Sequence, residues 1–265
     1  MKIPIVIPVY KPDQKVYVRV REMLKKQTMK NEVLEITGFT EAGGMNHGIK
    51  KAKGDIVITM NQDCIPEDEH WLERLLKPLE DKNVVASVSD TIVMPYKLWK
   101  KADPISRALS IKEQKPVRSA LDARGCAYRK SVIIKAGLFN ENPNFGALGG
   151  IDDDIYMKMK ARGKIAYPGC KIYHWHPFTG GERLYLEYKY AQGSGAMVKY
   201  FGSRMPGCWK RIVKATPLIG FVGIWAVFPV KRAPLLFILY LILSPMIHGM
   251  YLAGFWKGFF KMKKE

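Results

Sequence analysis

Cysteine is scarce in this sequence of 265 residues, which contains four: Cys64, Cys126, Cys170 and Cys208. No two of them form a CxxC pair, so their spacing favours neither a zinc site nor a disulfide framework. Reduced thiols are typical of proteins that face the cytosol. We therefore expect the folded domain to lie on the cytoplasmic side of any membrane that the protein contacts.

Acidic residues are also few relative to basic ones. The sequence has 24 Asp and Glu against 43 Lys and Arg, which gives a formal net charge of +19. This excess indicates an anionic partner, such as nucleic acid, an acidic membrane surface or phosphorylated substrates. The basic residues gather near apolar stretches and do not form a patch interleaved with aromatic residues, so we expect no nucleic-acid partner.

A secretory signal and internal repeats are not found in the sequence. The first ten residues, MKIPIVIPVY, form too short an apolar run for a signal peptide, and two prolines punctuate it. Strand-like and helix-like segments alternate after this run, which predicts an α/β sheet of mostly parallel order. We predict strands at residues 3–9, 32–37, 56–60, 84–88 and 164–167, and helices at residues 16–26, 46–53 and 71–80.

The composition changes near residue 205 and predicts two regions, a catalytic domain at residues 1–204 and a membrane-associated helical region at residues 205–265. Residues 233–256 are uncharged and long enough to span a membrane, and residues 217–230 are apolar but contain Pro217, Gly220 and Gly223. The alternative is a pair of helices packed on a soluble core. Flanking basic residues and aromatic residues such as Trp225 favour the membrane. Two crossings would put Lys231 and Arg232 on the far side, a conflict that embedding in the interface avoids.

Three polar residues follow the third predicted strand: Asn61, Gln62 and Asp63. Ligands of α/β sheets bind beyond the carboxyl ends of the strands, so Asp63 is well placed to bind a divalent cation. Mg²⁺ and Mn²⁺ prefer such hard oxygen ligands and also bind phosphate oxygens. The alternative is a loop whose acids cap the next helix, which we favour for residues 67–69.

A second acidic cluster consists of Asp152, Asp153 and Asp154, at the start of a predicted helix. Neighbouring carboxylates repel one another, which raises the pKa of one of them and makes it a better general base. Helix capping is the alternative, because acids favour a helix N-terminus. Capping requires one acid, so we expect a catalytic role for this cluster.

Two histidines, His174 and His176, come after a further strand-like segment. We expect their rings to point to opposite sides of the extended chain and therefore not to chelate one ion together. One histidine facing the site, as a ligand of a metal or a phosphate, is one interpretation. A structural histidine is the other.

Five segments occur in an order that resembles glycosyltransferase family 2, from about residue 3 to residue 202. They are IVIPVY at residues 5–10, GMNHGI with AKGD at residues 44–55, NQD at residues 61–63, GCAYRK with GLF at residues 125–139, and ID at residues 151–152. The resemblance implies the GT-A fold and an enzyme that uses a nucleotide-diphosphate sugar with Mn²⁺ or Mg²⁺. Among members, a rhamnosyltransferase-like branch is similar in motif style, which rests on QD at residues 62–63 followed by Pro66, HWH at residues 174–176, Arg183, Tyr188 and Gly193.

The resemblance also implies roles for individual residues. Asp63, with His174, corresponds to the metal site, and Asp152 to the catalytic base. Asn61 stands where the family has an acid, and Ile151 replaces a Glu, which leaves Asp152 or Asp153 as the base. The remaining donor-pocket positions are Pro8, Tyr10, Asn46, Asn61 and Gln62. The family's acidic segment after the second strand is absent, and Glu41 is expected to substitute for it.

The expected activity is inverting transfer of a sugar to a hydroxyl of a lipid-linked glycan acceptor at an anionic membrane surface. A polyprenyl-phosphate sugar synthase of the same fold is an alternative, in which an already ionised lipid phosphate is the nucleophile. A catalytically inactive membrane scaffold and a nucleic-acid-binding protein are alternatives of another class.

Overall fold

A computed structural model describes residues 2–118, 121, 123–142, 150–176, 178–221 and 233–262. The elements in chain order are β1 (Ile3–Pro8), α1 (Gln14–Lys25), β2 (Asn31–Ile36), α2 (Glu41–Lys51), β3 (Ile56–Thr59), β4 (Cys64–Pro66), α3 (Trp71–Leu76), β5 (Val84–Val88), β6 (Asp90–Ile92), α4 (Tyr96–Trp99), α5 (Pro104–Ser110), β7 (Val117–Arg118), β8 (Cys126–Arg129), α6 (Lys130–Lys135), α7 (Gly150–Lys160), β9 (Lys164–Ala166), β10 (Lys171–His174), α8 (Gly180–Phe201), α9 (Cys208–Lys214) and α10 (Pro234–Lys261).

These elements divide between two compact units. The first comprises Met1–Pro95, Lys115–Glu141 and Ile151–His176, and the second comprises Tyr96–Gln114, Asn142–Gly150 and Pro177–Glu265. This division differs from the sequence-based boundary at residue 204. Helix α8, which precedes that boundary, packs along α10 and belongs to the second unit.

The first unit contains a six-stranded sheet in the order β2-β1-β3-β8-β5-β9. Strand β1 is parallel to β2 and β3, and β5 is parallel to β9, while β8 is antiparallel to both of its neighbours. The expected α/β sheet of mostly parallel order is thereby confirmed. The carboxyl ends of β1, β2 and β3 meet at one edge of the sheet, which is where a ligand is expected.

Both faces of this sheet are covered, because successive residues of its strands enter different cores. Val6 packs with α2, α6 and α7 on one face, while Ile5 and Ile7 pack with α1 and α3 on the other. Two-sided burial explains why the strands read as continuous apolar runs rather than as alternating patterns.

Two helix boundaries differ from the sequence prediction for local reasons. Helix α2 begins five residues earlier than predicted, at Glu41, because the hydroxyl of Thr40 accepts a hydrogen bond from the Gly43 N–H and caps it. The predicted helix at residues 71–80 is α-helical only to Leu76 and continues as a 3₁₀-helix over Lys77–Glu80, which contains Pro78. Proline favours the start of such a turn because it lacks an N–H to donate.

A four-stranded sheet in the order β4-β10-β6-β7 completes the first unit. Strand β10 is antiparallel to β4, and in this pairing His174 lies opposite Cys64. The pairing brings the histidine-containing segment to the loop that comes after β3. This contact joins residues more than a hundred positions apart in sequence.

The second unit is helical, and its core lies between α8, α9 and α10, where Ala191, Met197 and Phe255 are buried. Helix α10 confirms a helix over the longer apolar segment. Of the shorter apolar segment, residues 222–230 lie outside the described residues, as do Lys231 and Arg232, so the expectations for that segment, including Trp225, stay predictions.

Candidate active site

A cleft of about 430 Å³ opens at the carboxyl ends of β1, β2 and β3. Its lining comes from three short segments that directly follow these strands or end them: Pro8, Val9 and Tyr10; Phe39, Thr40 and Glu41; and Asn61, Gln62 and Asp63. Of the eight residues that the sequence assigned to donor and metal binding, six therefore line one cavity: Pro8, Tyr10, Glu41, Asn61, Gln62 and Asp63.

The segments after β1 and β3 are joined by one side chain. The Gln62 amide oxygen accepts a hydrogen bond from the Tyr10 N–H at 2.8 Å, and its amide nitrogen donates to the Tyr10 carbonyl oxygen at 2.9 Å. Through these two hydrogen bonds, the Gln62 side chain fixes the segment after β1 relative to the segment after β3.

Asp63 is fixed from the main chain and from two imidazoles. Its carbonyl oxygen accepts a hydrogen bond from the Trp175 N–H at 2.7 Å. Its carboxylate Oδ2 lies 3.2 Å from His174 Nε2 and 3.4 Å from His176 Nδ1. Burial raises the pKa of the Asp63 carboxyl, but the hydrogen bonds from the two histidines outweigh burial, so the pKa lies well below its usual value.

The expectation that His174 and His176 point to opposite sides is wrong. Their rings are stacked, with centroids 5.9 Å apart and an angle of 11° between planes, and both contact the same carboxylate oxygen. The physical reason is that side chains alternate along an extended chain, so residues two positions apart share a face. His176 is thus a site residue that the sequence prediction did not assign, although the HWH spacing beside a proline carried the signal.

A divalent cation implied by the family resemblance can be tested against these donors. The carboxylate of Asp63 and the amide oxygen of Asn61 suit Mn²⁺ or Mg²⁺. The imidazole of His174 is not typical of Mg²⁺ sites, and its Nε2 would have to leave Asp63 to bind Mn²⁺. Among the described residues, no three His, Cys, Asp or Glu side chains form a metal site by themselves. The donor set fits a cation whose coordination is completed by oxygen atoms of a bound diphosphate.

Asn46 is placed differently from its predicted role. Its side chain is buried on α2, where Oδ1 accepts a hydrogen bond from the Phe139 N–H and Nδ2 donates to the Phe139 carbonyl oxygen and to Glu141. These bonds tie α2 to the segment after α6. Asn46 is not among the residues that line the cleft, because its side-chain polar atoms face this segment instead.

The three consecutive acids lie in the first turns of α7 and have different environments. Asp152 and Asp153 are partly exposed, whereas Asp154 is buried and its Oδ2 lies 2.5 Å from Lys158 Nζ. Burial raises the pKa of Asp154 even though Lys158 opposes the shift. Asp154 is therefore a structural acid, and the other two remain the candidates for a base, outside the lining of the cleft.

Similar solved structures define the class of fold. The mannosyltransferase PcManGT from Pyrobaculum calidifontis, in complex with GDP-Man and Mn²⁺, matches with a TM-score of 0.61 and 14% identity, over 99% of this chain and 88% of that chain. GalNAc-T7 with UDP, GalNAc and Mn²⁺ matches with a TM-score of 0.50 and 14% identity, over 76% of this chain and 48% of that chain. At such identity the likeness shows the fold, which is GT-A.

A family model matches part of the sequence. Residues 6–137, just under half of the chain, match the model of glycosyl transferase family 2. No curated protein matches the chain. Fold and family match together support nucleotide-sugar glycosyltransferase activity. The matched range includes the whole cleft lining, while Asp152, His174 and His176 lie beyond it.

Proposed function

We propose that this protein is an inverting glycosyltransferase that moves a sugar from a nucleotide-diphosphate donor to a hydroxyl of a lipid-linked glycan acceptor. The observation that carries the proposal is the position of Asp63, which lines the cleft and is held by two imidazoles and one backbone hydrogen bond. Both similar structures contain Mn²⁺ with a nucleotide or nucleotide sugar, which supports the same donor class and cation here.

Different residues have different roles in the proposed transfer reaction. Pro8, Tyr10 and Asn61 bind the nucleoside part of the donor, and Asp63 with His174 holds the cation. When bound, the cation would neutralise charge on the leaving diphosphate. Asp152 accepts the proton of the acceptor hydroxyl, with Asp153 as the other candidate base.

Alanine variants of Asp63 and Asp152 test this assignment. Each should lower sugar transfer by at least about a hundredfold, because each removes the carboxylate that its proposed role requires. Glu69→Ala is the matched control, since the Glu69 side chain is exposed and its ion pair is with His70. Transfer of labelled sugar in Mn²⁺ would be measured beside circular dichroism melting. Turnover at the wild-type rate in either variant contradicts the proposal.

The proposal that the acceptor is linked to a lipid rests on α10. This helix has 28 residues, and its most apolar 18-residue window has a mean hydropathy of 1.9 and is only 22% buried. Its exposed side is an apolar face at helical spacing, formed by Leu235, Ile238, Ile242, Met246 and Phe260. Such a face favours contact with lipid.

We propose that α10 lies in the membrane interface rather than crossing it. Its inner side packs along α8, which contains charged residues, and that side buries the polar residues Ser244 and His248. Lys199 and Lys214 also lie over aromatic rings of α10. A helix in hydrocarbon on one side only is typical of interfacial attachment. The free cysteines favour a catalytic domain on the cytoplasmic face.

Binding to sedimented vesicles tests this attachment. Ile242→Glu should lower binding to anionic phosphatidylserine-containing vesicles at least about tenfold, because it puts a charge into the apolar face. Val18→Glu, at an exposed apolar position on α1, is the matched control. Retention in the pellet after alkaline carbonate extraction would contradict interfacial attachment and indicate a spanning helix.

A polyprenyl-phosphate sugar synthase is the second candidate, favoured by the same apolar face of α10. A lipid phosphate is already ionised and requires no base. Asp152→Asn should therefore retain transfer to a polyprenyl phosphate if this candidate is right, and should lose transfer to a hydroxyl acceptor otherwise.

The donor sugar that we propose is a hexose or a deoxyhexose, the latter from the rhamnosyltransferase-like motif style. One part of that style, Arg183, forms an ion pair with Glu113 in the second unit, which is a structural role. A thermal-shift screen of nucleotide sugars with Mn²⁺ or Mg²⁺ would identify the donor, since a ligand of the native state raises Tm.

A further inference from the structure

The turn between β2 and α2 is four residues long, at positions 37–40, and supplies one wall of the cleft. Gly38 makes the turn with a φ of +81°, and Thr40 caps α2 through the Gly43 N–H. Phe39 lies between these two residues. Its side chain lines the cleft and is 51% exposed.

The ring of Phe39 is held by a second aromatic ring. It stacks on His47 with centroids 4.7 Å apart and an angle of 26° between planes. His47 belongs to α2, which also carries Gly48 in close contact with Val6 of β1. Because the helix is fixed to the sheet, the stacked pair presents a flat apolar surface whose orientation is set before any ligand arrives.

Two polar side chains of the cleft are already hydrogen-bonded to the backbone. Both amide groups of Gln62 are bonded to Tyr10, and the Thr40 hydroxyl accepts the capping bond. Tyr10 is the other aromatic residue of the lining, but it is 72% exposed and has Lys11 Nζ 5.4 Å from its ring centroid. Phe39 is thus the aromatic wall that another ring supports.

We propose that Phe39 is the platform on which the nucleobase of the donor stacks, with His47 as the positioning residue behind it. The inference rests on the proposed function, since it requires a nucleotide diphosphate in this cleft. Stacking accepts any base and is stronger for a larger ring system. The platform therefore selects donors by the size of the base and favours a purine over a pyrimidine.

Calorimetric titration of GDP and UDP in Mn²⁺ tests the platform. Phe39→Ala should weaken GDP binding between about fivefold and about a hundredfold, the range expected for loss of one stacked base, and should weaken UDP binding less. Phe39→Trp should bind both within about twofold of wild type, because it restores an aromatic face. Tyr96→Ala is the matched control, because Tyr96 is an exposed aromatic residue stacked on Trp99 in the second unit.

Inorganic pyrophosphate with Mn²⁺ separates base stacking from a structural effect, since pyrophosphate has no base. Phe39→Ala should leave pyrophosphate binding unchanged. An equal loss for pyrophosphate and GDP, or an unchanged affinity for GDP, would overturn the platform while leaving the proposed function intact. If the wild-type protein binds no nucleotide diphosphate, the proposed function fails and the platform fails with it.

Discussion

The cleft of the first unit and the long helix of the second are stabilised in different ways. Around the cleft, loops are held by hydrogen bonds, such as those between Gln62 and Tyr10 and between Trp175 and Asp63. In the second unit, α10 approaches α8 through glycine. A Cβ atom on Gly258 would lie 1.9 Å from the Gln192 carbonyl oxygen.

This difference separates an open cavity from a closed contact between two helices. Hydrogen bonds between separate loops leave an open cavity of about 430 Å³ between the strand ends. Backbone contact at Gly254 and Gly258 leaves no space for even one added carbon atom. We therefore expect substitutions at the cleft to change affinity more than stability, and substitutions between α8 and α10 to change stability.

The largest effect on stability is expected for Gly258→Ala. The added carbon would meet backbone atoms of α8, which cannot move like a side chain, so the helices must separate at a cost of about 3 kcal/mol or more. Gly249→Ala is the matched control on the same helix. A Cβ there meets nothing within 4 Å, so alanine's higher helix propensity should stabilise the protein by up to about 1 kcal/mol. Urea unfolding would measure both.

Gly48→Ala extends the test to the first unit. Its Cβ atom would lie 2.2 Å from Val6 Cγ1, which belongs to a side chain. We expect a loss of about 1–3 kcal/mol, and a second change, Val6→Ala, should relieve part of it. Additive losses in the double variant, or a Gly258→Ala protein as stable as wild type, would contradict the distinction between side-chain and backbone contact.

The sequence was sufficient to predict five of the six strands of the six-stranded sheet and most of the cleft, but not the four-stranded sheet. Apolar runs bounded by turn residues located the strands, and the order of motifs located the segments after β1 and β3. Because parallel strands end at one edge of the sheet, residues far apart in sequence, such as Tyr10 and Asp63, were expected to meet there.

What the sequence could not predict depends on pairings between distant residues. The contact of His176 with Asp63 results from the antiparallel pairing of β10 with β4. The motif assigned Asn46 to the binding of the nucleotide-sugar donor. Its buried side-chain amide instead forms hydrogen bonds with the backbone of Phe139. Gly254 and Gly258 of α10 have the four-residue spacing at which small residues let helices approach closely, but this spacing does not indicate which helix they contact.

A smaller effect is expected for Gln62→Ala, which removes both hydrogen bonds to Tyr10. These bonds are exposed, so the free energy of unfolding should fall by about 1–2 kcal/mol. The affinity for nucleotide diphosphate should fall as well, because the wall of the cleft at Tyr10 is released. Gln62→Glu keeps the acceptor for the Tyr10 N–H but puts a carboxylate oxygen against the Tyr10 carbonyl oxygen, so it should not restore the affinity. Wild-type affinity in Gln62→Ala would show that the cleft does not depend on this pair.

The smallest effect is expected for Asp154→Asn, and it should depend on pH. Burial raises the pKa of Asp154 in the folded protein above its value in the unfolded chain. Stability from this group is therefore fully present below the unfolded pKa, near 4, and is lost as the pH rises through the folded pKa. The loss is about 1.4 kcal/mol for each pH unit that separates the two pKa values.

Asparagine does not titrate, so the advantage of wild type over Asp154→Asn should shrink as the pH rises from about 4 to about 7. Urea unfolding at each pH would measure it, with Asp153→Asn as the control. An advantage that grows with pH would mean that the ion pair with Lys158 outweighs burial.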